Sequence, residues 1–136
     1  MSKIDMIMKD IKYHAEISKK VYGKWKENRF DQILTSALTM ELFQVVNYTI
    51  ELAELFLAKT PSQYASTYFE VFESMRRIGV IDDRDLKIMI NAVGFRNMVA
   101  HRYHALDEEI LERVYKDLNH ILKVAEKIKE KLTKTK

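Results

Sequence analysis

Residues 96–103 read Arg-Asn-Met-Val-Ala-His-Arg-Tyr, and the interpretation of the chain starts from this stretch. It places a fixed cation, a group that titrates near neutral pH and a hydroxyl within a short span. The guanidinium of Arg96 keeps its charge and matches two phosphate oxygens. His101 can accept and return a proton near pH 7, and the Tyr103 hydroxyl can bind a phosphate or accept a transferred group. These residue types predict chemistry on a phosphate.

The spacing within this stretch predicts where its helix ends. On an ideal helix, residues five apart lie about 140° apart around the axis, so Arg96 and His101 would face different directions. Arg96 and Tyr103 are seven apart and would differ by only about 20°. For Arg96 and His101 to reach one phosphate, the helix should therefore distort or end near His101. Asp107 followed by two glutamates supports an end there, because this pattern is typical of a new helix start.

The whole sequence predicts one all-α domain, residues 1–136, folded as an antiparallel bundle of about five helices. One proline and three glycines in the chain favour long uninterrupted helices. Apolar residues recur at steps of three and four along each segment, as they do on the buried face of a helix. The predicted helices cover approximately residues 3–27, residues 29–58, residues 61–78, a helix from Asp82 into the motif, and residues 108–132.

Three local signals refine the third and fourth helices. Pro61 suits the first position of the third helix, and Gly79 suits the position just past its end. The aromatic residues from Tyr64 onward have the spacing of a core-facing stripe. Gly94 interrupts the fourth helix just before the motif, which would be reasonable if another backbone or a phosphate approaches closely there.

The second helix carries apolar residues on more than one side. Such a helix either lies at the centre of a monomer or is covered by a partner molecule. The second alternative predicts a homodimer, and the sequence leaves both open. The residues outside the main apolar stripe are Met40, Phe43, Val46, Ile50, Leu55 and Leu57.

Composition excludes several classes of protein. The chain has no cysteine, so it forms neither disulfides nor thiolate metal sites. It shows no metal-ligand spacing and no phosphate-binding glycine loop, so we predict no metal and no cofactor. It has no signal-peptide pattern and no apolar run long enough for a bilayer, which predicts a cytoplasmic protein without membrane contact. A net charge of +3 permits nucleic-acid binding without requiring it.

RNA cleavage is one reaction that needs such a set of residues. The 2′-hydroxyl must lose a proton, the phosphate charge must be balanced, and the leaving 5′-oxygen must gain a proton. One motif supplies one histidine, whereas concerted acid and base catalysis generally needs two proton-transfer groups. A symmetric dimer with two motifs across a cleft would supply both. In this hypothesis Arg96 stabilises the phosphate, His101 transfers protons and Asn97 orients the histidine or the phosphate.

The motif resembles that of the HepT-type toxins of the HEPN superfamily, in which arginine, four residues, histidine, any residue and tyrosine follow one another. It stands here as Arg96, His101 and Tyr103, with Asn97 directly after the arginine. The resemblance extends over most of the chain. The family often has an acid and then a histidine in its second helix; Glu51 matches the acid, and Leu55 stands roughly where the histidine would be.

The resemblance implies a dimeric, metal-independent endoribonuclease of a type VII toxin–antitoxin pair. It implies a minimal nucleotidyltransferase antitoxin of the MntA type, which transfers AMP to the motif tyrosine, here Tyr103. The expected partners are thus RNA, a second copy of the chain and the antitoxin, but not DNA. Two alternatives stay open: a non-catalytic subunit that binds nucleotide or substrate for a nucleotidyltransferase, and a purely structural helical dimer.

Overall fold

A computed structural model describes residues 2–60, 64–101 and 106–134. In these ranges the chain forms helices and no strands, which confirms the predicted all-α class. The six helices are α1 (Lys3–Trp25), α2 (Gln32–Ala58), α3 (Tyr68–Arg77), α4 (Asp83–His101), α5 (Glu108–Lys116) and α6 (Leu118–Lys134).

The helix count exceeds the predicted five because the last predicted helix is divided at Asp117. The backbone N–H of Asp117 is shared between the carbonyl oxygens of Arg113 and Val114, each at 3.1 Å. A shared bond of this kind is common where the last turn of a helix tightens. The apolar stripe continues across the break, so periodicity alone does not reveal it.

Helices α1 and α2 form an antiparallel pair. Lys3 near the start of α1 pairs with Glu51 in the second half of α2. At the other end of the pair, the buried indole of Trp25 donates a hydrogen bond to the Thr35 hydroxyl at 3.0 Å. Helix α6 packs against α1, α2 and α4, and α3 packs between α2 and α4. The motif helix α4 is therefore supported by α2, α3, α5 and α6.

The core draws apolar side chains from every helix. The second helix contributes the largest share of them, because it packs on α1, α3, α4, α5 and α6. Burying one large apolar side chain stabilises the fold by about 1.5–3 kcal/mol. Because the apolar face of each helix is buried, its polar residues lie on the opposite face. Fully buried members include Ile11, Leu38, Leu52, Phe72, Phe95, Leu111 and Ile121.

The predicted start of the third helix is wrong. Pro61 lies outside the described residues, and α3 begins only at Tyr68. The hydroxyl of Thr67 accepts the backbone N–H of Glu70 at 3.1 Å, and the Glu70 carboxylate accepts the backbone N–H of Ser66 at 2.9 Å. This reciprocal cap begins the helix. Tyr64, predicted to be core, precedes it and is 80% exposed.

Two glycine predictions have different outcomes. Gly79 follows α3 with a φ of +82°, which confirms it as the residue that ends the helix. At Gly94, an added Cβ atom would meet nothing within 4 Å in the part of the chain that the structure describes. The close approach predicted at Gly94 is therefore absent among the described residues of a single chain.

The described residues also show whether any helix could span a membrane and whether any side chains could hold a metal ion. Of the helices described, none combines the length and the apolar character needed to cross a bilayer. Within the same ranges, no group of three or more His, Asp or Glu side chains is arranged to hold a metal ion.

Candidate active site

The motif residues of α4 line a cleft of about 410 Å³. Helix α2 contributes Glu54 to this cleft, and the segment that leads into α3 forms another wall. The lining residues are Glu54, Ala65, Ser66, Thr67, Tyr68, Val71, Arg96, Asn97 and His101.

Arg96 and His101 line the same cleft although five residues separate them. His101 is the last residue in the described range of α4, and its side chain is exposed. Arg96 is half-buried one and a half turns earlier. Both residues border the cleft, although an ideal helix would turn them about 140° apart. The structure therefore brings together Arg96, Asn97 and His101, whereas Tyr103 lies outside the described residues.

Among the described residues, two hydrogen bonds hold the guanidinium of Arg96. Its Nε donates to Oδ1 of Asn47 on α2 at 2.9 Å, and its Nη1 donates to Oδ1 of Asn97 at 3.1 Å. The sequence prediction gave Asn97 the task of orienting the histidine or the phosphate. In the structure, the side-chain oxygen of Asn97 accepts a hydrogen bond from the arginine.

Two aromatic rings pack beside the same guanidinium. The Cζ atom of Arg96 lies 4.7 Å from the ring centroid of Tyr68 and 5.7 Å from that of Phe43. A guanidinium over an aromatic face is attracted by about 0.5–1 kcal/mol at exposed sites and by more where water is excluded. The rings therefore restrict the position of a charge that the amides of Asn47 and Asn97 already orient.

The cleft also contains the carboxyl group of Glu54, whose pKa is raised. Burial raises the pKa of Glu54 above its usual range, and the negative charge of Glu51 raises it further. Glu51, which matches the acid that the family often has in its second helix, is not among the described residues that line the cleft. Its carboxylate lies 3.9 Å from the ammonium of Lys3.

Sequence reasoning missed Asn47, Glu54 and Tyr68 as members of the site. Asn47 is 49 residues away from Arg96, and no local spacing connects the two. One signal was available, because Asn47 is a polar residue inside a largely apolar helix. Tyr68 was assigned to the core with the other aromatic residues of α3, and in the structure it is half-buried beside the arginine.

The all-helical fold is shared with solved toxin–antitoxin structures. A toxin–antitoxin structure with AMP-PNP superposes with a TM-score of 0.80 at 18% identity, covering 92% of this chain and 99% of the other. A tri-AMPylated HEPN toxin from Shewanella oneidensis, solved in complex with an MNT antitoxin, gives a TM-score of 0.80 at 19% identity and 98% coverage of both chains. A protein from Thermus thermophilus matches with a TM-score of 0.59 at 15% identity, covering 85% of this chain and 98% of the other. At these identities the likeness shows a HEPN-like fold.

The sequence identifies the family within that fold. The profile of the family described as Ribonuclease HepT-like matches residues 9–130, so the chain belongs to this family. The predicted resemblance to the HepT-type proteins of the HEPN superfamily is confirmed. No curated protein matches the sequence.

Proposed function

We propose that this protein is the toxin of a type VII toxin–antitoxin pair and acts as a metal-independent endoribonuclease. The observation that carries the proposal is the shared cleft of Arg96, Asn97 and His101. Membership of the HepT-like family and the likeness to a HEPN toxin bound to its MNT antitoxin support it.

The proposed reaction needs no group beyond protein side chains and the RNA itself. A base removes the proton of the 2′-hydroxyl, and the 2′-oxygen attacks the adjacent phosphorus. The bond from phosphorus to the 5′-oxygen breaks, an acid protonates that oxygen, and the products are a 2′,3′-cyclic phosphate and a 5′-hydroxyl. His101 serves as the proton-transfer group, and Arg96 stabilises the charge on the phosphate oxygens. The need for a free 2′-hydroxyl makes RNA, and not DNA, the substrate.

A second copy of the chain would supply the second histidine, and the surface of α2 suggests where it docks. Ile33, Met40, Asn47 and Glu54 follow at intervals of seven, so they lie along one side of α2, which we call the outer stripe. Ile33 is 80% exposed and Met40 is 42% exposed, whereas Asn47 and Glu54 belong to the site. We propose that a second copy covers the apolar half of the outer stripe, with its own motif beside the cleft.

The test is cleavage of total RNA in EDTA by the wild type and by His101→Ala, after both are shown to be equally folded and equally dimeric. We expect the wild type to produce fragments that end in a cyclic phosphate. The variant should lose about 100-fold or more in rate, as is typical when a proton-transfer group is removed. Asn119→Ala, an exposed change on α6, is the control and should cleave like the wild type.

Two outcomes would contradict the proposal. Full activity in His101→Ala would remove the histidine from the mechanism. An absence of cleavage by unmodified wild type, together with nucleotide binding that does not depend on His101, would identify a non-catalytic nucleotide-binding subunit instead. Mass spectrometry of the purified protein establishes beforehand that Tyr103 is unmodified.

A further inference from the structure

Asn47 lies at the centre of the longest helix, where an apolar residue would pack more simply. It is half-buried on α2, and asparagine has a lower helix propensity than leucine or methionine, which occupy other positions of this helix. Its side-chain oxygen accepts a hydrogen bond from Nε of Arg96 at 2.9 Å, and this bond connects α2 to α4. The polar residue at this point in the helix therefore serves as a hydrogen-bond acceptor for the motif arginine.

The bond to Asn47 also determines which edge of the guanidinium a ligand can use. A planar guanidinium presents two forks to an oxyanion, one formed by Nε and Nη2 and the other by Nη1 and Nη2. Asn47 occupies the Nε position, so the first fork is closed. Asn97 uses one of the two hydrogens on Nη1. Among the described residues no acceptor is found for Nη2, so this nitrogen stays available to a phosphate.

The ring of Tyr68 restrains the plane of the same group. The Cζ atom lies 4.7 Å from the centroid of this ring, and Tyr68 lines the cleft that also contains His101. A long arginine side chain in water loses much rotational freedom when it binds a ligand. An arginine that is already oriented by an amide and a ring loses less, and its charge is in place when the reaction occurs.

We propose that Asn47 is a positioning residue for the reaction: it holds Arg96 so that Nη2 of the guanidinium receives the scissile phosphate. This inference rests on the proposed function, because it gives the phosphate ligand of that function its orientation. Asn47 acts through Arg96 and does not itself touch the RNA.

A double-mutant cycle tests this role. The variants are Asn47→Leu, which is close in size but has no acceptor, Arg96→Ala, and the combination of both. With a short single-stranded RNA in EDTA, we expect Asn47→Leu to lower kcat by about 10- to 100-fold with a smaller change in KM, as expected when an oriented group is misplaced. The combined variant should be no slower than Arg96→Ala, because Asn47 has no other task.

Two companion variants separate positioning from stability. Asn47→Asp keeps an oxygen acceptor for Nε and should restore most of kcat, although its helix packing differs from that of asparagine. Asn91→Ala, an exposed change on α4, should leave kcat and KM unchanged. Wild-type kcat in Asn47→Leu, or an additional loss of rate in the combined variant, would overturn the proposal.

A spectroscopic measurement tests the contact without any activity. In a proton–nitrogen NMR spectrum, the Nε–H of Arg96 should exchange slowly with water in the wild type and in Asn47→Asp, and rapidly in Asn47→Leu. An unchanged exchange rate in Asn47→Leu would overturn the proposal.

If the wild type fails to cleave RNA, the proposed function fails, and a 2′-O-methyl RNA oligonucleotide then decides the role of Asn47. Weaker binding by both Asn47→Leu and Arg96→Ala would retain Asn47 as the residue that orients Arg96. Wild-type affinity in Asn47→Leu would reject it.

Discussion

At the scale of the residue, Arg96 shows how a charge can be prepared before a ligand arrives. The acceptors Asn47 and Asn97 contact different nitrogens of the guanidinium, and the rings of Tyr68 and Phe43 pack beside it. A lysine could not replace this arrangement, because an ammonium has no planar fork. The neighbouring Glu54 adds a carboxyl whose pKa is raised by burial and by the charge of Glu51, so it is less acidic than an ordinary glutamate.

The residue-scale prediction concerns the regulation of Tyr103. In the proposed pair, the tyrosine oxygen attacks the α-phosphorus of ATP, the bond to the β-phosphate breaks, and pyrophosphate leaves. Incubation with an MntA-type antitoxin and ATP should therefore add the mass of AMP to this chain and abolish RNA cleavage, because bulk and negative charge occupy the place of an RNA phosphate. Mass spectrometry of the intact protein and of its peptides measures both the addition and its position.

Tyr103→Phe is the matched variant, since it removes only the hydroxyl. It should take up no AMP at this position and should continue to cleave RNA in the presence of the antitoxin and ATP. Tyr13→Phe, on the exposed surface of α1, controls for unspecific labelling of tyrosines. Labelling of Tyr103→Phe to the same extent as the wild type would contradict the assignment of the acceptor.

At the scale of the element, α4 is fastened at its start by a buried carboxylate. Asp85 is 3% exposed and accepts hydrogen bonds from His120 at 2.7 Å and from Lys127 at 2.5 Å, both on α6. It also accepts the backbone N–H of Asp82 at 3.1 Å, within a cap that begins the helix. His120 thus helps to connect α6 to the start of α4. The contacts of Asp85 hold one end of α4 while its other end carries the motif.

The element-scale prediction follows from the acidity of Asp85. Burial raises the pKa of Asp85, but hydrogen bonds from Lys127 and His120 outweigh that effect and lower it from 3.8 to about 2. A carboxyl with a lowered pKa stabilises the fold fully above pH ~3.8, and this contribution is lost as the pH falls through about 2. Asp85→Asn should therefore reduce the free energy of unfolding by about 2 kcal/mol at pH 7.

Urea unfolding at several pH values measures this effect. The difference between wild type and Asp85→Asn should shrink between pH ~4 and pH ~2, because the wild-type carboxyl becomes protonated. Asp83→Asn removes a carboxylate from the same helical turn, where Asp83 is exposed and pairs with Arg76, and should change stability little. A difference for Asp85→Asn that persists unchanged at pH ~2 would show that its cause is packing and not charge.

At the scale of the whole molecule, the fold leaves large apolar side chains on the outer surfaces of α1 and α2. Phe30 and Ile33 are almost fully exposed at the start of α2, and Met6 and Tyr13 are exposed on α1. The sequence had left open whether α2 is central or covered by a partner. In the described residues, one side of α2 packs in the core of the chain, whereas Ile33 and Met40, the apolar half of the outer stripe, are exposed.

The prediction for the whole molecule tests the outer stripe as the dimer contact. Ile33→Glu places a charge on it, and since Ile33 is exposed in the single chain, the fold should be unaffected. We expect a shift from dimer to monomer in analytical ultracentrifugation, together with a loss of RNA cleavage of about 10-fold or more, because desolvating the new charge opposes association.

Gln32→Glu adds the same charge one residue earlier, about 100° around the helix, and should leave the dimer intact. Both variants should match the wild type in helical content and in the midpoint of thermal unfolding. The three proteins are compared at one concentration, low enough for the wild type to be monomeric. A dimeric and fully active Ile33→Glu would exclude the outer stripe as the contact between copies.

The sequence by itself determined the helical class, most helix boundaries and the motif. These features depend on residues three to seven positions apart, such as Asp107 at the start of α5 and Gly79 at the end of α3. The sequence also indicated the HepT-like family, because the motif is a pattern of residues close together in the chain. The start of α3 was misjudged since Pro61 and the Thr67 cap are both plausible starts, and only the packed chain distinguishes them.

Only the tertiary structure decided which residues surround the motif. Asn47 reaches Arg96 across 49 residues, and Asp85 meets His120 across 35. Helical periodicity shows which side of a helix is apolar, but it does not show which other helix that side will face. The partners of a polar side chain are set by the relative rotation and register of two packed helices, and these depend on how all the apolar side chains of the core fit together.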